Sequence, residues 1–206
     1  LGKVNFVTNL SKYLLCEMEN NEQINIDDLK NTNYSFKNIK KNKSFHLFDN
    51  QSHPDFFYLN NDKENYGKKI PIEKIRKLKF FFHKTFSVSK IKTAIINKIE
   101  DLSLNSLNSI LKTIEELPPK SYIFIISDKP VNIIETIKSR CVLFYVKSLN
   151  RTDFNSFIKT KLNNISVEES FFLNSICNGS PGLAEQIINN KIYNIYNDFL
   201  DSLINS

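Results

Sequence analysis

Cysteine is scarce in this 206-residue chain: only Cys16, Cys141 and Cys177 are present, far apart and odd in number. No CxxC pair occurs, which argues against a disulfide framework and a cysteine zinc module and fits reduced thiols in a cytosolic setting. Long apolar runs are lacking too. No stretch approaches the roughly 18 apolar residues that a membrane-spanning helix requires, so no membrane partner is expected. Leu1-Gly2-Lys3 is not the charged-then-apolar start of a secretory leader. An initiating methionine is also absent, from which a piece of a longer chain is expected. Histidine is equally sparse. His53, in Ser52-His53-Pro54-Asp55, has no His or Cys at ligand spacing, so this segment reads as a structural turn and no metal is expected. There is no internal repeat.

What is present is a basic, Lys- and Asn-rich chain of ordinary apolar content. Net charge is +6, the isoelectric point is about 9.1 and 41% of residues are hydrophobic. That is enough for one domain of usual size and a small second one. The charge permits contact with nucleic acid or acidic partners without requiring it. Lysines concentrate between Lys68 and Lys92, with Arg76 among them. Lys74, Arg76 and Lys77 are the candidate phosphate contacts there, and a solvated helix face accounts for them nearly as well.

Apolar spacing predicts a first helix over residues 3–17, then an irregular insertion over 18–51. Phe56–Leu59 reads as a strand. Pro71 opens a helix carrying Ile72, Ile75, Leu78 and Phe82. Thr93–Ile96, Tyr122–Ile126 and Val142–Val146 are short apolar runs of the kind found in buried parallel strands. Between them lies an amphipathic helix with Leu104, Leu107, Ile110, Leu111 and Ile114, stopped by Pro118-Pro119. Alternating strands and helices imply an α/β parallel sheet with helices on both faces. From about Asn150 only helices are expected. Ser166 to Glu169 has the form of a capping box, Asn178-Gly179 a helix stop, and Ser180-Pro181 a helix start. A last helix is expected over 191–206.

Several segments then read together: Leu111-Lys112-Thr113-Ile114-Glu115-Glu116 with Pro118-Pro119, the strand from Tyr122, Ser139-Arg140-Cys141, and Gly179-Ser180-Pro181-Gly182-Leu183-Ala184. This run resembles the clamp-loader branch of the AAA+ proteins, and within it most closely the delta-prime group of bacterial DNA polymerase III. The resemblance is strongest over Ile70–Tyr145 and at Gly179–Ala184. Leu117, standing before the prolines, departs from the family pattern.

The resemblance implies a P-loop NTPase-like core over 1–149 and a helical lid over 150–206. The first strand and most of the phosphate loop would lie upstream, and the family's collar domain is absent. Gly2 and Lys3 would be the remnant of a phosphate-binding loop. Val4 stands where a metal-binding hydroxyl is needed. Asn97 and Lys98 would occupy the place of the two acids that hold magnesium and orient the attacking water. Glu100 and Asp101 follow and are expected to point elsewhere. Ser127 would sit at the sensor position. Pro181 and Gly182 replace a sensing arginine. Of the family's four-cysteine zinc module only Cys16 survives.

Arg140, flanked by Ser139 and Cys141, would act in trans as an arginine finger on the ATP of a neighbouring subunit. The implied function is that of a non-catalytic clamp-loader subunit in DNA replication. It would bind no nucleotide productively itself, with ATP and magnesium held next door. Its partners would be the motor subunits and the delta subunit of a heteropentamer, the sliding clamp, and primed DNA through its phosphates, in the bacterial cytoplasm. The alternatives are an ATP-hydrolysing motor subunit of the gamma/tau kind, or a bacterial adaptor or DNA-binding module that merely uses the fold.

Overall fold

Three of the apolar runs pair as parallel strands: β1 (Phe56–Leu59), β2 (Lys92–Asn97) and β3 (Ser121–Ile126), in that order. In the computed structural model the described residues are 2–20, 41–61, 69–128, 135–161 and 165–204. They form two units, Phe6–Leu143 and Leu1–Asn5 with Phe144–Ser206. β2 is central, pairing Ile96 with Leu59 on one side and with Ile125 on the other. It is covered on both faces, so Ala94, Ile95 and Ile96 are all fully buried.

One face of the sheet carries α3 (Ile72–His83) and α4 (Leu104–Glu115). Ile75, Leu78 and Phe82 project from α3 at helical spacing and pack with Ile110, Leu59, Ala94 and Ile96. Burying each such aliphatic side chain contributes on the order of 1.5–3 kcal/mol. The other face carries α1 (Gly2–Asn20) and α2 (Lys43–Asp49). There Leu15 and Met18 meet Ile91, Phe48 and Phe56, the two phenyl rings lying 4.5 Å apart.

Two expectations fail. The segment 18–51 is not irregular throughout, because its described part holds α2. Glu19 of α1 supplies the missing cap: its carboxylate oxygens accept from the Lys43 and Ser44 amides at 3.2 and 2.7 Å. Val142–Val146 is not a strand. Its residues find no ladder partner among the described residues and stay exposed, Phe144 at 86%. An apolar run becomes a strand only where another strand offers its amides and carbonyls.

The Ser52–Asp55 turn has a definite structural task. Asp55 is fully buried, and its carboxylate accepts from the backbone amides of Ser87, Val88 and Ser89 at 2.7–3.2 Å. Its own carbonyl accepts from Thr93 in β2 at 3.0 Å. Lys92, also buried, donates to the Phe81 carbonyl at 2.6 Å. Burial depresses the Lys92 pKa, and the charge of Asp55 opposes that fall. His53 is buried as well. Its Nδ1 accepts from the Asp55 amide at 3.1 Å, so the neutral ring carries its proton on Nε2. Desolvation pushes the His53 pKa below its ordinary 6.5, against a smaller opposing pull from Asp55.

The second unit holds α6 (Arg151–Lys161), α7 (Val167–Cys177), α8 (Pro181–Asn189) and α9 (Ile192–Ile204). Phe154, Ile158, Phe172, Leu173, Ala184 and Ile187 form its core. Ser166 and Glu169 complete the capping box of α7. Asn178 and Gly179 end that helix with φ of 46° and 71°. A Cβ at Gly179 would strike the Leu149 carbonyl, so only glycine fits.

Asp55→Ala strands three backbone amides, that of Ser89 buried and those of Ser87 and Val88 part-buried, and removes the charge that supports Lys92. A loss of about 1–3 kcal/mol is expected, read as a lower urea midpoint at unchanged m-value. His53 sets a pH dependence of known sign. The unfolded chain binds a proton as pH falls through about 6.5, while the folded chain resists, so stability declines as pH drops below that value. In melts between pH 7.5 and 5, His53→Gln should flatten this part of the decline. An unchanged slope would contradict the assignment.

Candidate functional site

A parallel sheet ends all its strands on one side, and ligands of such folds lie beyond the carboxyl ends. Here β1, β2 and β3 finish at Leu59, Asn97 and Ile126. Asn97 donates through Nδ2 to the Tyr58 hydroxyl at 2.9 Å. Burial raises the Tyr58 pKa, and the Asn97 hydrogen bond pulls the other way. Lys98 follows with φ of +66°, a backbone state that costs a side-chain-bearing residue energy. Its ammonium pairs with Asp128 at 2.9 Å. That hydrogen bond raises its pKa, with burial opposing.

The left-handed step at Lys98 starts a single 3₁₀ turn, Ile99–Asp101, anchored by buried Ile99. The turn folds Glu100 back toward the strand ends. Glu100 does not point away from them as the sequence suggested. Its carboxylate accepts from the Ser127 hydroxyl, and from the Asp128 amide at 3.0 Å. Its carbonyl accepts from the Lys69 ammonium. Asn97, Lys98 and Ser127 are therefore brought to one edge, joined by Tyr58, Glu100 and Asp128, which sequence reasoning did not assign. The i, i+3 step from Asn97 to Glu100 was the available signal.

The side chains at this edge bind largely to one another. The residue ending β2 is neutral, the next is a cation, and the nearby carboxylate already serves Ser127 and Asp128. Among the described residues no group of three or more His, Cys, Asp or Glu converges to hold a metal. Gly2 and Lys3 open α1 in the other unit, and no site is assigned across the two.

The second cluster lies at the end of α5 (Glu135–Lys138). Four residues cannot form a stable helix by propensity, so packing holds this turn. Ile137 is buried in the α3–α4 core, and Cys141 packs against the same core. Burial raises the Cys141 thiol pKa, which marks it as an apolar anchor. Between these two anchors Ser139 and Arg140 face solvent. The Ser139 hydroxyl donates to the Thr136 carbonyl at 3.1 Å. Arg140 donates through Nε to Glu115 Oε1 at 2.8 Å, and its NH2 lies 2.7 Å from the same oxygen. Its NH1 donates to the Thr136 carbonyl at 2.9 Å and to Ser139 Oγ at 3.3 Å. The Arg140 side chain is 40% exposed. It is a surface cation held against its own unit by one carboxylate from α4.

The lysine-rich stretch divides. Arg76 and Lys77 are exposed on α3, beside exposed Phe80. Lys74 turns onto the Asn60 carbonyl at 3.3 Å, and Lys92 is buried and unavailable to any phosphate. Lys68 lies outside the described residues.

Comparison with known proteins is consistent with this frame. A family model described as "DNA polymerase III, delta subunit" matches residues 1–150. Two relatives are named "DNA polymerase III subunit delta'". The one from Pseudomonas aeruginosa is 33% identical over 91 residues, 44% of this chain and 27% of that protein. The one from Buchnera aphidicola is 27% identical over 146 residues, 69% of this chain and 40% of that protein. A "DNA polymerase III subunit gamma" from Buchnera aphidicola is 35% identical over 119 residues, 55% of this chain and 32% of that protein. The chain thus spans less than half the length of each. A solved structure of a Thermotoga maritima "dna polymerase iii, gamma subunit-related protein" superposes with a TM-score of 0.51 at 20% identity, covering 73% of this chain and 49% of that one. At that identity it speaks for the fold alone.

If the sheet edge is an internal brace, Ser127→Ala should cost about 0.5–1.5 kcal/mol of unfolding free energy. A stability equal to the native chain's would contradict the brace.

Proposed function

The chain belongs to the DNA polymerase III delta subunit family, and from that premise we propose that it is a clamp-loader subunit whose own nucleotide chemistry is lost. It acts through Arg140 on ATP bound to a neighbouring motor subunit. The observation that carries this reading is a contrast within one unit. Arg140 is presented at the surface between buried Ile137 and half-buried Cys141, which both pack on the core. Asn97 and Lys98, by contrast, put a neutral amide and a cation at the end of β2, where this reading expects the two acids of a hydrolytic site, and they pair with Tyr58 and Asp128.

A guanidinium is suited to the task. It is always charged, and its planar fork binds two phosphoryl oxygens together. Placed against the transferred phosphoryl, it stabilises the charge that develops in the transition state. Such an arginine supplies about 10³–10⁵ in rate. The chain's partners are motor subunits of the gamma/tau kind and a delta subunit in a heteropentamer, the sliding clamp, and primed DNA held by its phosphates, in the bacterial cytoplasm. Of the candidate phosphate contacts Lys74, Arg76 and Lys77, Arg76 and Lys77 are exposed. No described helix is long and apolar enough to cross a membrane.

A second reading, an ATP-hydrolysing motor subunit, draws on the similarity to a gamma subunit. Val4, Asn97 and Lys98 stand against it.

Arg140→Ala, in the full-length subunit reconstituted with its partners, should lower single-turnover ATP hydrolysis at the adjacent site by about 10³-fold. Assembly, followed by size exclusion, should be unchanged. Full hydrolysis by the variant complex would end the trans-arginine reading. Motor-like turnover by the isolated full-length subunit would favour the second one.

A further inference from the structure

Glu115 is the last residue of α4, where the exposed carbonyl ends of the helix carry partial negative charge. A carboxylate is unfavourable there, so its place is not explained by helix stability. Its partner is Arg140, which directs Nε and NH2 at one carboxylate oxygen, Oε1, from 2.8 and 2.7 Å. NH1 is occupied on the other side by Thr136 and Ser139. Four of the five N–H groups an arginine possesses are therefore engaged, and no edge of the fork is free for a second anion.

The two sets of contacts differ in how they can be released. Thr136 and Ser139 belong to the arginine's own turn and travel with it. Glu115 comes from another helix and grips the Nε–NH2 edge, one that can take an anion bidentately. The pair is open to water, with side-chain exposures of 40% and 49%, and exposed ion pairs are weak. A phosphate carries more charge than a carboxylate and offers the same paired oxygens.

We infer that Glu115 is a positioning residue that parks the Arg140 guanidinium and is displaced by the phosphate of the neighbouring subunit's nucleotide. The inference rests on the trans-arginine reading and adds the group with which the phosphate competes. The parked state keeps the cation satisfied and its edge ordered while the site opposite is empty. It also sets a small, reversible handicap on engagement, so nucleotide must outcompete a resident carboxylate.

The test uses the complete reconstituted complex with full-length subunits and ATP as the probe. Glu115→Gln keeps the shape and removes the competing charge. It should raise kcat/KM for ATP by about two- to fivefold, the range that a weak exposed pair allows. Glu115→Ala should give the same gain, which guards against a fault peculiar to the glutamine. On an Arg140→Ala background neither change should have any effect.

A silent Arg140→Ala would sink the trans-arginine reading itself. A damaging Arg140→Ala together with an unchanged or lowered kcat/KM in both Glu115 variants would overturn only the inference. An equal gain with and without Arg140 would overturn it too, because the effect would not pass through the guanidinium.

Discussion

The sheet depends on Asp55. Its carboxylate gathers the amides of Ser87, Val88 and Ser89, and its carbonyl takes the amide of Thr93. One residue thereby ties the entry of β1 to the entry of β2. Parallel strands lack the tight hairpin that would set their register, so a polar clamp at the entry supplies what a turn cannot. With the starts aligned, Leu59 pairs with Ile96 and Ile96 with Ile125, and the strands finish together. The positions of Asn97, Lys98 and Ser127 follow from that alignment. The buried Lys92 beside this clamp shows the cost of the arrangement, since its charged form is disfavoured by burial and supported by Asp55.

Two polar clusters stand on this frame. At the strand ends, Glu100 closes on Ser127 and Asp128 while Lys98 closes on Asp128. Hydrogen-bonding capacity is used internally, and the edge acts as a brace. At the end of α5, Ile137 is sunk in the core and Cys141 packs against it, while Ser139 and Arg140 between them face outward. There the capacity is held by a contact that solvent and a stronger anion can exchange. Both ion pairs are open to water, Lys98–Asp128 at 50% and 44% exposure and Arg140–Glu115 at 40% and 49%, so the difference lies in what each pair holds in place.

Much of this was legible in the chain. The apolar runs of the three strands, the stop at Pro118-Pro119, the Ser166–Glu169 capping box and the Asn178-Gly179 terminator all show as local patterns within a few residues, although the pairing of the strands does not. What was not legible depends on distant residues. The cap of α2 comes from Glu19, more than twenty residues away, and no local pattern announces it. Val142–Val146 has the composition of a strand but no ladder among the described residues. Lys92 lies in a basic stretch that reads as solvent-facing, yet its place at the start of the central strand buries it. Glu100 lies beyond its strand and returns only through the positive φ of Lys98. At Arg140 the motif was visible in the sequence, but its carboxylate partner was not.

The central claim is that Arg140 completes a site on another subunit. The most direct measurement is a structure of the assembled complex with ADP and aluminium fluoride in the motor subunits, as a mimic of the transferring phosphoryl group. The account predicts the Arg140 guanidinium within hydrogen-bonding distance, about 2.7–3.0 Å, of a fluoride at the adjacent site, with Glu115 released. A fully occupied neighbouring site with Arg140 still bound to Glu115 and far from the fluorides would contradict it.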